Sequence, residues 1–250
     1  ETPHTVEARH FSFAYPGSDK LALSDITFSL GEGETLGIVG RTGSGKSTLC
    51  RALLHQYEMK SQTLFVGGVP IEELSFDTLR QKIAYVPQEH LLFSRTIAEN
   101  VSFGKPGASE AEVLHAMRLA EMESDLMQFR EGLKTMVGEK GVTLSGGQKQ
   151  RISIARALLL DAGILVLDDS LSAVDARTEE AILRHLRQER ANKTTIITAH
   201  RLSAVQHAEL ILVLDEGRIV ERGTHAELMQ QNGWYAEQYR KQQMEQDVAG

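Results

Sequence analysis

The sequence predicts an α/β fold: a mostly parallel sheet core, an N-terminal antiparallel β subdomain, and an inserted helical subdomain. Three observations carry the prediction. Short apolar runs, "ETLGIVG", "IAYVPQ", "ILVLDD", "TTIITA" and "LILVLDEG", alternate with helical segments, as in strands joined by crossover helices. The first thirty residues alternate in strand fashion in "ARHFSFAYPG" and "LSDITFSL". From about residue 89 to 151 the strand signal gives way to charged helical segments such as "SEAEVLHAMRLAE" and "ESDLMQFREGL".

Taken in order, Pro16, Gly17, Gly31 and Gly33 punctuate the opening strands. "ETLGIVG" reads as a buried strand ending in a glycine-rich turn, and "STLCRALLHQ" has helical spacing. A strand at "TLFVGG", a helix at "SFDTLRQK" and a strand closed by Pro87 follow. After the helical insertion, the three returning strands are separated by the amphipathic "RTEEAILRHLRQER" and the short "RLSAVQHA". The division expected is a core of residues 1–88 and 152–250, a helical subdomain of 89–151, and a tail from about 233 that frays along the surface.

A chain of 250 residues buries a sizeable core without disulfides. The lone Cys50 forms no internal bridge and fits a reducing compartment. The net charge of −7 argues against a nucleic-acid-coating surface. No apolar run approaches the roughly 20 residues of a membrane helix. The chain also begins without methionine, and the expectation is a domain cut from a longer polypeptide.

"GRTGSGKS" at residues 40–47 matches G-x-x-x-x-G-K-[ST] in its meaningful setting, after a strand and opening a helix. Gly40, Arg41, Thr42, Gly43, Ser44, Gly45, Lys46 and Ser47, with Thr48 after them, form a backbone cradle for phosphate. Lys46 is placed to reach terminal phosphates and Ser47 to ligate Mg²⁺. The expected carboxylate partner is Asp168, at the carboxyl end of a neighbouring strand.

These motifs together resemble the nucleotide-binding domain of an ABC transporter, a P-loop NTPase, from about residue 6 to 240. "LSGGQ" (Leu144, Ser145, Gly146, Gly147, Gln148) resembles the family signature, which grips the γ-phosphate of an ATP bound to the opposed subunit. Ser145 equally reads as the N-cap of the helix that follows. The resemblance implies ATP and Mg²⁺ as cofactors, Tyr15 as the aromatic stacked on adenine, and Gln88 in "YVPQ" as the sensor of Mg²⁺ and attacking water. It further implies Ser172, Ala173, Val174 and Asp175 ("SAVD") as the loop communicating between subunits, and His200 as a γ-phosphate contact.

"LLFSRTIAENVSFG" and "TMVGEKG" resemble exporter-type domains, with Met136 where an acid often stands. That implies membrane helices in the same polypeptide, a second nucleotide-binding domain as partner, and a place at the cytoplasmic face of the membrane. In the family a Glu polarising the attacking water usually follows the metal-binding Asp; here it is Asp169. One methylene less retracts the carboxylate by about 1.5 Å, and misplacement by about 1 Å costs on the order of 100-fold. With "SLSAVD", Asp169 resembles the degenerate-site half of bacterial heterodimeric multidrug exporters, close to the Mdl and Bmr types. The expectation is an ATPase whose own site is weak and whose signature completes the partner's site. The alternatives are a homodimer with Asp169 as a slower base, a non-transport ABC ATPase, or an importer's ATPase subunit.

Overall fold

The computed structural model describes residues 2–59 and 61–249. Its first sheet is antiparallel, built from β1 (Val6–Phe13), β2 (Leu23–Leu30), β4 (Leu64–Val66) and β5 (Val69–Pro70) in the order β2-β1-β4-β5. The buried positions of β1 are Val6, Ala8, Phe11 and Phe13, so strict alternation breaks once. His10 takes up the extra residue at φ 51°, in an irregularity between Ala8 and Phe11, which returns the aromatic side chains to the core face.

The second sheet has six strands: β3 (Thr35–Gly40), β6 (Ile83–Val86), β7 (Ile164–Asp168), β8 (Thr194–Ala199), β9 (Leu210–Asp215) and β10 (Arg218–Gly223). Their order is β10-β9-β3-β8-β7-β6, all parallel except β10. Every residue of β7 and β8 is buried, which is why these strands read as continuous apolar runs. Alternate residues serve two cores. Val166, Ile196 and Leu212 pack with the antiparallel sheet and α1 (Lys46–Leu53), whereas Leu167, Ile197 and Val213 pack with the helical side.

That helical side comprises α3 (Ile97–Val101), α4 (Glu110–Leu119), α5 (Glu123–Gln128) and α6 (Gly146–Leu159). Val113, Met117, Ile152 and Leu167 belong to one apolar cluster, so the insertion shares its core with the sheet. Helix α6 runs unbroken through residues 151 and 152. The remaining helices are α2 (Phe76–Lys82), α7 (Ala176–Glu189), α8 (His225–Gln231) and α9 (Trp234–Ala249).

Four features depart from the sequence reading. Strand β8 lies between β3 and β7, so Asp168 stands two strands from the glycine loop rather than on a neighbouring strand. Strand β10 and helix α8 were not expected, because "RIVERG" alternates only between half-buried and exposed positions. "RLSAVQHA" holds only a short 3-10 turn, Leu202–Val205. The tail is not a freely fraying helix: Tyr235 and Ala236 are fully buried and the Tyr235 hydroxyl lies 2.8 Å from Nδ1 of His225.

Candidate nucleotide-binding site

The glycine loop leaves β3 through Gly40 at φ 153°, and a Cβ there would sit 2.3 Å from the carbonyl oxygen of Leu214. Gly45, at φ 110°, caps α1 where a Cβ would lie 2.8 Å from Leu23 Cδ2. Gly40 excludes a side chain on space as well as on backbone conformation, and Gly45 on backbone conformation. Helix α1 starts with no side-chain cap and no acid in its first turn, which leaves its N-terminal amides and dipole to an anion. The Lys46 ammonium donates to the carbonyls of Gly40 (2.6 Å) and Arg41 (3.2 Å). Burial pulls its pKa below the usual lysine value, and Asp169 and Asp168 oppose that shift.

Asp168, 1% exposed, ends β7 beneath the loop. Its Oδ1 accepts from Ser47 Oγ (3.1 Å) and Thr198 Oγ1 (2.7 Å), and its Oδ2 from the Tyr85 hydroxyl (2.9 Å). Thr198 on the intervening β8 thus bridges the gap that the strand order opens. Burial, with Asp168 beside it, drives the Tyr85 hydroxyl far above its usual pKa, so Tyr85 is a donor at any ordinary pH. The one-carboxylate, one-hydroxyl set of Asp168 and Ser47 fits Mg²⁺, which takes one or two carboxylates plus substrate phosphates.

Asp169 turns the chain at φ 51°. Its amide is held by the carbonyl (3.0 Å) and hydroxyl (3.1 Å) of Thr198. Its Oδ2 lies 3.7 Å from His200 Nε2. Burial raises the carboxyl pKa, against the pull of His200 and then Lys46. Asp169, His200 and Gln88 line one cleft of about 920 Å³ with Tyr15, Thr198 and loop residues 41–48. The Tyr15 hydroxyl lies 2.6 Å from Thr48 Oγ1, and its ring stands edge-on to Phe13 and Tyr57.

The signature residues Leu144 to Gln148 do not line this cleft. Ser145 caps α6 in a reciprocal box, accepting from the Gln148 amide (3.1 Å) while Gln148 Oε1 accepts from the Ser145 amide (2.9 Å). Gly147 packs on the 172–175 loop, and a Cβ there would meet the Ala173 carbonyl at 2.9 Å. Asp175 caps α7, accepting from the Thr178 amide at 2.7 Å. Val174 is buried, whereas Ser172, Ala173 and Asp175 are exposed.

Sequence reasoning did not single out Tyr85, Thr198 or Gln150. Tyr85 and Thr198 looked like ordinary strand residues, though a polar residue near the carboxyl end of a buried strand is a usable signal. Gln150 follows the signature and was hidden by it.

The ABC transporter family matches the chain over residues 23–172. The chain is 56% identical over 97% of its length to the probable multidrug resistance ABC transporter ATP-binding/permease protein YheI of Bacillus subtilis (strain 168), covering 41% of that protein. It is 48% identical over 93% of its length to the multidrug resistance-like ATP-binding protein MdlA of Escherichia coli (strain K12), covering 40% of it. An ATP-dependent lipid A-core flippase of Pseudomonas fluorescens (strain Pf0-1) is 46% identical over 92% of the chain, with 39% of the flippase covered. Among solved structures, a bacterial Atm1-family ABC exporter with ATP bound superposes with a TM-score of 0.90 at 39% identity, covering 95% of this chain and 42% of that one. The chain therefore spans about two fifths of the length of these relatives. With the family match across residues 23–172 and relatives at 46–56% identity over nearly its whole length, the chain belongs to the ABC transporter family, as a nucleotide-binding domain.

Proposed function

We propose that the chain is the ATP-hydrolysing domain of an exporter of drugs or other amphipathic compounds, joined to a transmembrane domain and lying at the cytoplasmic face of the membrane. The names of the similar proteins, multidrug resistance transporters and a lipid A-core flippase, support the substrate class. The observation that carries the mechanism is a separation. Lys46, Gln88, Asp169 and His200 converge on one cleft, while residues 144–148 lie outside it, so the signature's phosphate is that of a second, opposed domain.

The loop amides and Lys46 bind and orient the triphosphate, Tyr15 supports the adenine, and Ser47, Asp168 and Gln88 would hold Mg²⁺. Bound Mg²⁺ supplies charge neutralisation on the phosphate oxygens. Asp169 and His200 face the water that attacks. Asp169 is one methylene short of the usual Glu, so this chain's own site binds ATP and turns it over slowly, and the faster site pairs this signature with a Glu-bearing partner's P-loop. A homodimer using Asp169 as base is the second reading, favoured by the raised pKa of a carboxyl that lines the cleft.

Ser145→Asp tests the opposed arrangement. Aspartate keeps the N-cap and sets a negative charge against the partner's γ-phosphate. Nucleotide trapping in the assembled transporter should fall by about 10-fold or more at the partner's P-loop, as a like-charge clash costing more than about 1.4 kcal/mol requires. ATP affinity at this chain's own loop should stay within about 2-fold. Equal losses at both sites would contradict the arrangement.

A further inference from the structure

The opposed arrangement leaves one question open, namely how the signature helix, which touches one nucleotide, informs Asp169, which faces the other. Gln150, two residues past the signature, is 3% exposed and both ends of its amide are engaged. Its Oε1 accepts from the Ala173 amide at 2.8 Å, and its Nε2 donates to Ser172 Oγ at 2.9 Å. The Ser172 hydroxyl, so oriented, donates to the carbonyl of Asp169 at 3.3 Å. The other side of the same loop is tied to the residue after His200: Arg201 donates to the carbonyls of Val174 (2.7 Å) and Leu171 (3.2 Å). Gly147 leaves no room for a side chain on the loop side, since a Cβ there would lie 2.9 Å from the Ala173 carbonyl oxygen.

We infer that Gln150 is a positioning residue that carries the state of the signature helix, through Ser172, to the backbone of Asp169 in the same chain. This rests on the opposed-subunit reading above. The chain of contacts is short and polar throughout. A shift of α6 moves the Gln150 amide and takes Ser172 and Ala173 with it, because Gln150 bonds the exposed part of the loop while Arg201 and the buried Leu171 and Val174 hold its flanks. Asp169 sits in the left-handed region, where the backbone has a narrow well. A pull on its carbonyl therefore changes where its carboxylate points. Occupancy at the partner's site is in this way coupled to the competence of this chain's own site, and by linkage the reverse also holds for binding.

Three variants separate the parts. Gln150→Leu keeps the bulk and removes both arms. Ser172→Ala, at an exposed position that leaves folding intact, removes only the second. The double variant closes the cycle. Hydrogen exchange of the Ala173 amide should be about fivefold faster or more in Gln150→Leu, as loss of one hydrogen bond predicts, and unchanged within about twofold in Ser172→Ala. In the assembled transporter, the Hill coefficient for ATP, bounded by about 2 for two sites, should drop to about 1 in both single variants, with no further change in the double variant. A parent-like Hill coefficient in Gln150→Leu alongside faster Ala173 exchange overturns the inference while leaving the opposed arrangement intact. A parent that is itself non-cooperative overturns the coupling, and the Ser145→Asp trapping result then decides whether the arrangement fails with it.

Discussion

Asp168 keeps three hydroxyl donors in a position almost closed to water, and a carboxylate so buried is tolerable only because each is in place. Tyr85→Phe removes one donor without changing shape. It should cost about 1.5–3 kcal/mol, the worth of a hydrogen bond to a charged group, read as a lower urea midpoint at unchanged m-value. A loss below about 0.5 kcal/mol would show that the Tyr85 proton does not serve Asp168. At this scale the sequence was most legible where chemistry and spacing coincide: Lys46, Ser47, Gln88, Asp169 and His200 line one cleft, and Asp168 is one hydrogen bond from it through Ser47. It was silent on the left-handed backbone of Asp169, since adjacent aspartates after a strand announce no φ. Short Asp and Asn side chains enter that region more readily than most, so backbone conformation as well as reach bears on the residue found here.

Capping boxes start α3, α4 and α6 of the inserted segment, and the one at α4 carries the larger sensitivity to acid. Ser109 and Glu112 form a reciprocal box at the start of α4, and Lys105 donates to Glu112 Oε2 at 2.5 Å. The Lys105 hydrogen bond, then those of Ser109, hold the Glu112 carboxyl down to about 2 from 4.5. A depressed carboxyl pKa stabilises the fold fully above the unfolded value and loses that contribution as pH falls toward the folded one. The difference in urea midpoint between the chain and Glu112→Gln should therefore hold from about pH 7 to about pH 5 and narrow below about 4.5. A difference independent of pH would contradict the ion-paired cap. The same capping pattern was legible but unused at Thr224 and Glu227, whose box starts α8. Strand β10 left no comparable trace, because an edge strand with only half-buried and exposed positions lacks the apolar alternation that betrays strands. The place of β8 between β3 and β7 could not be read either. Pairing order is decided by crossovers, and a local pattern carries no record of them.

Across the whole molecule, the sheet presents its phosphate loop and acids to one cleft while α6 carries the signature away from it. On the proposed arrangement each domain holds half of two sites and all of neither. In that arrangement this chain contributes a signature to a fast site and a weak base to a slow one. The most direct measurement is steady-state phosphate release by the reconstituted transporter at saturating Mg-ATP, comparing the parent with Asp169→Asn. Asparagine is equally at ease at positive φ, so the change removes the base and spares the fold. Activity should stay within a few-fold of the parent, because the partner's carboxylate drives the faster site. A loss of about 100-fold or more, the scale of a missing general base, would contradict it and make Asp169 the base of a homodimer.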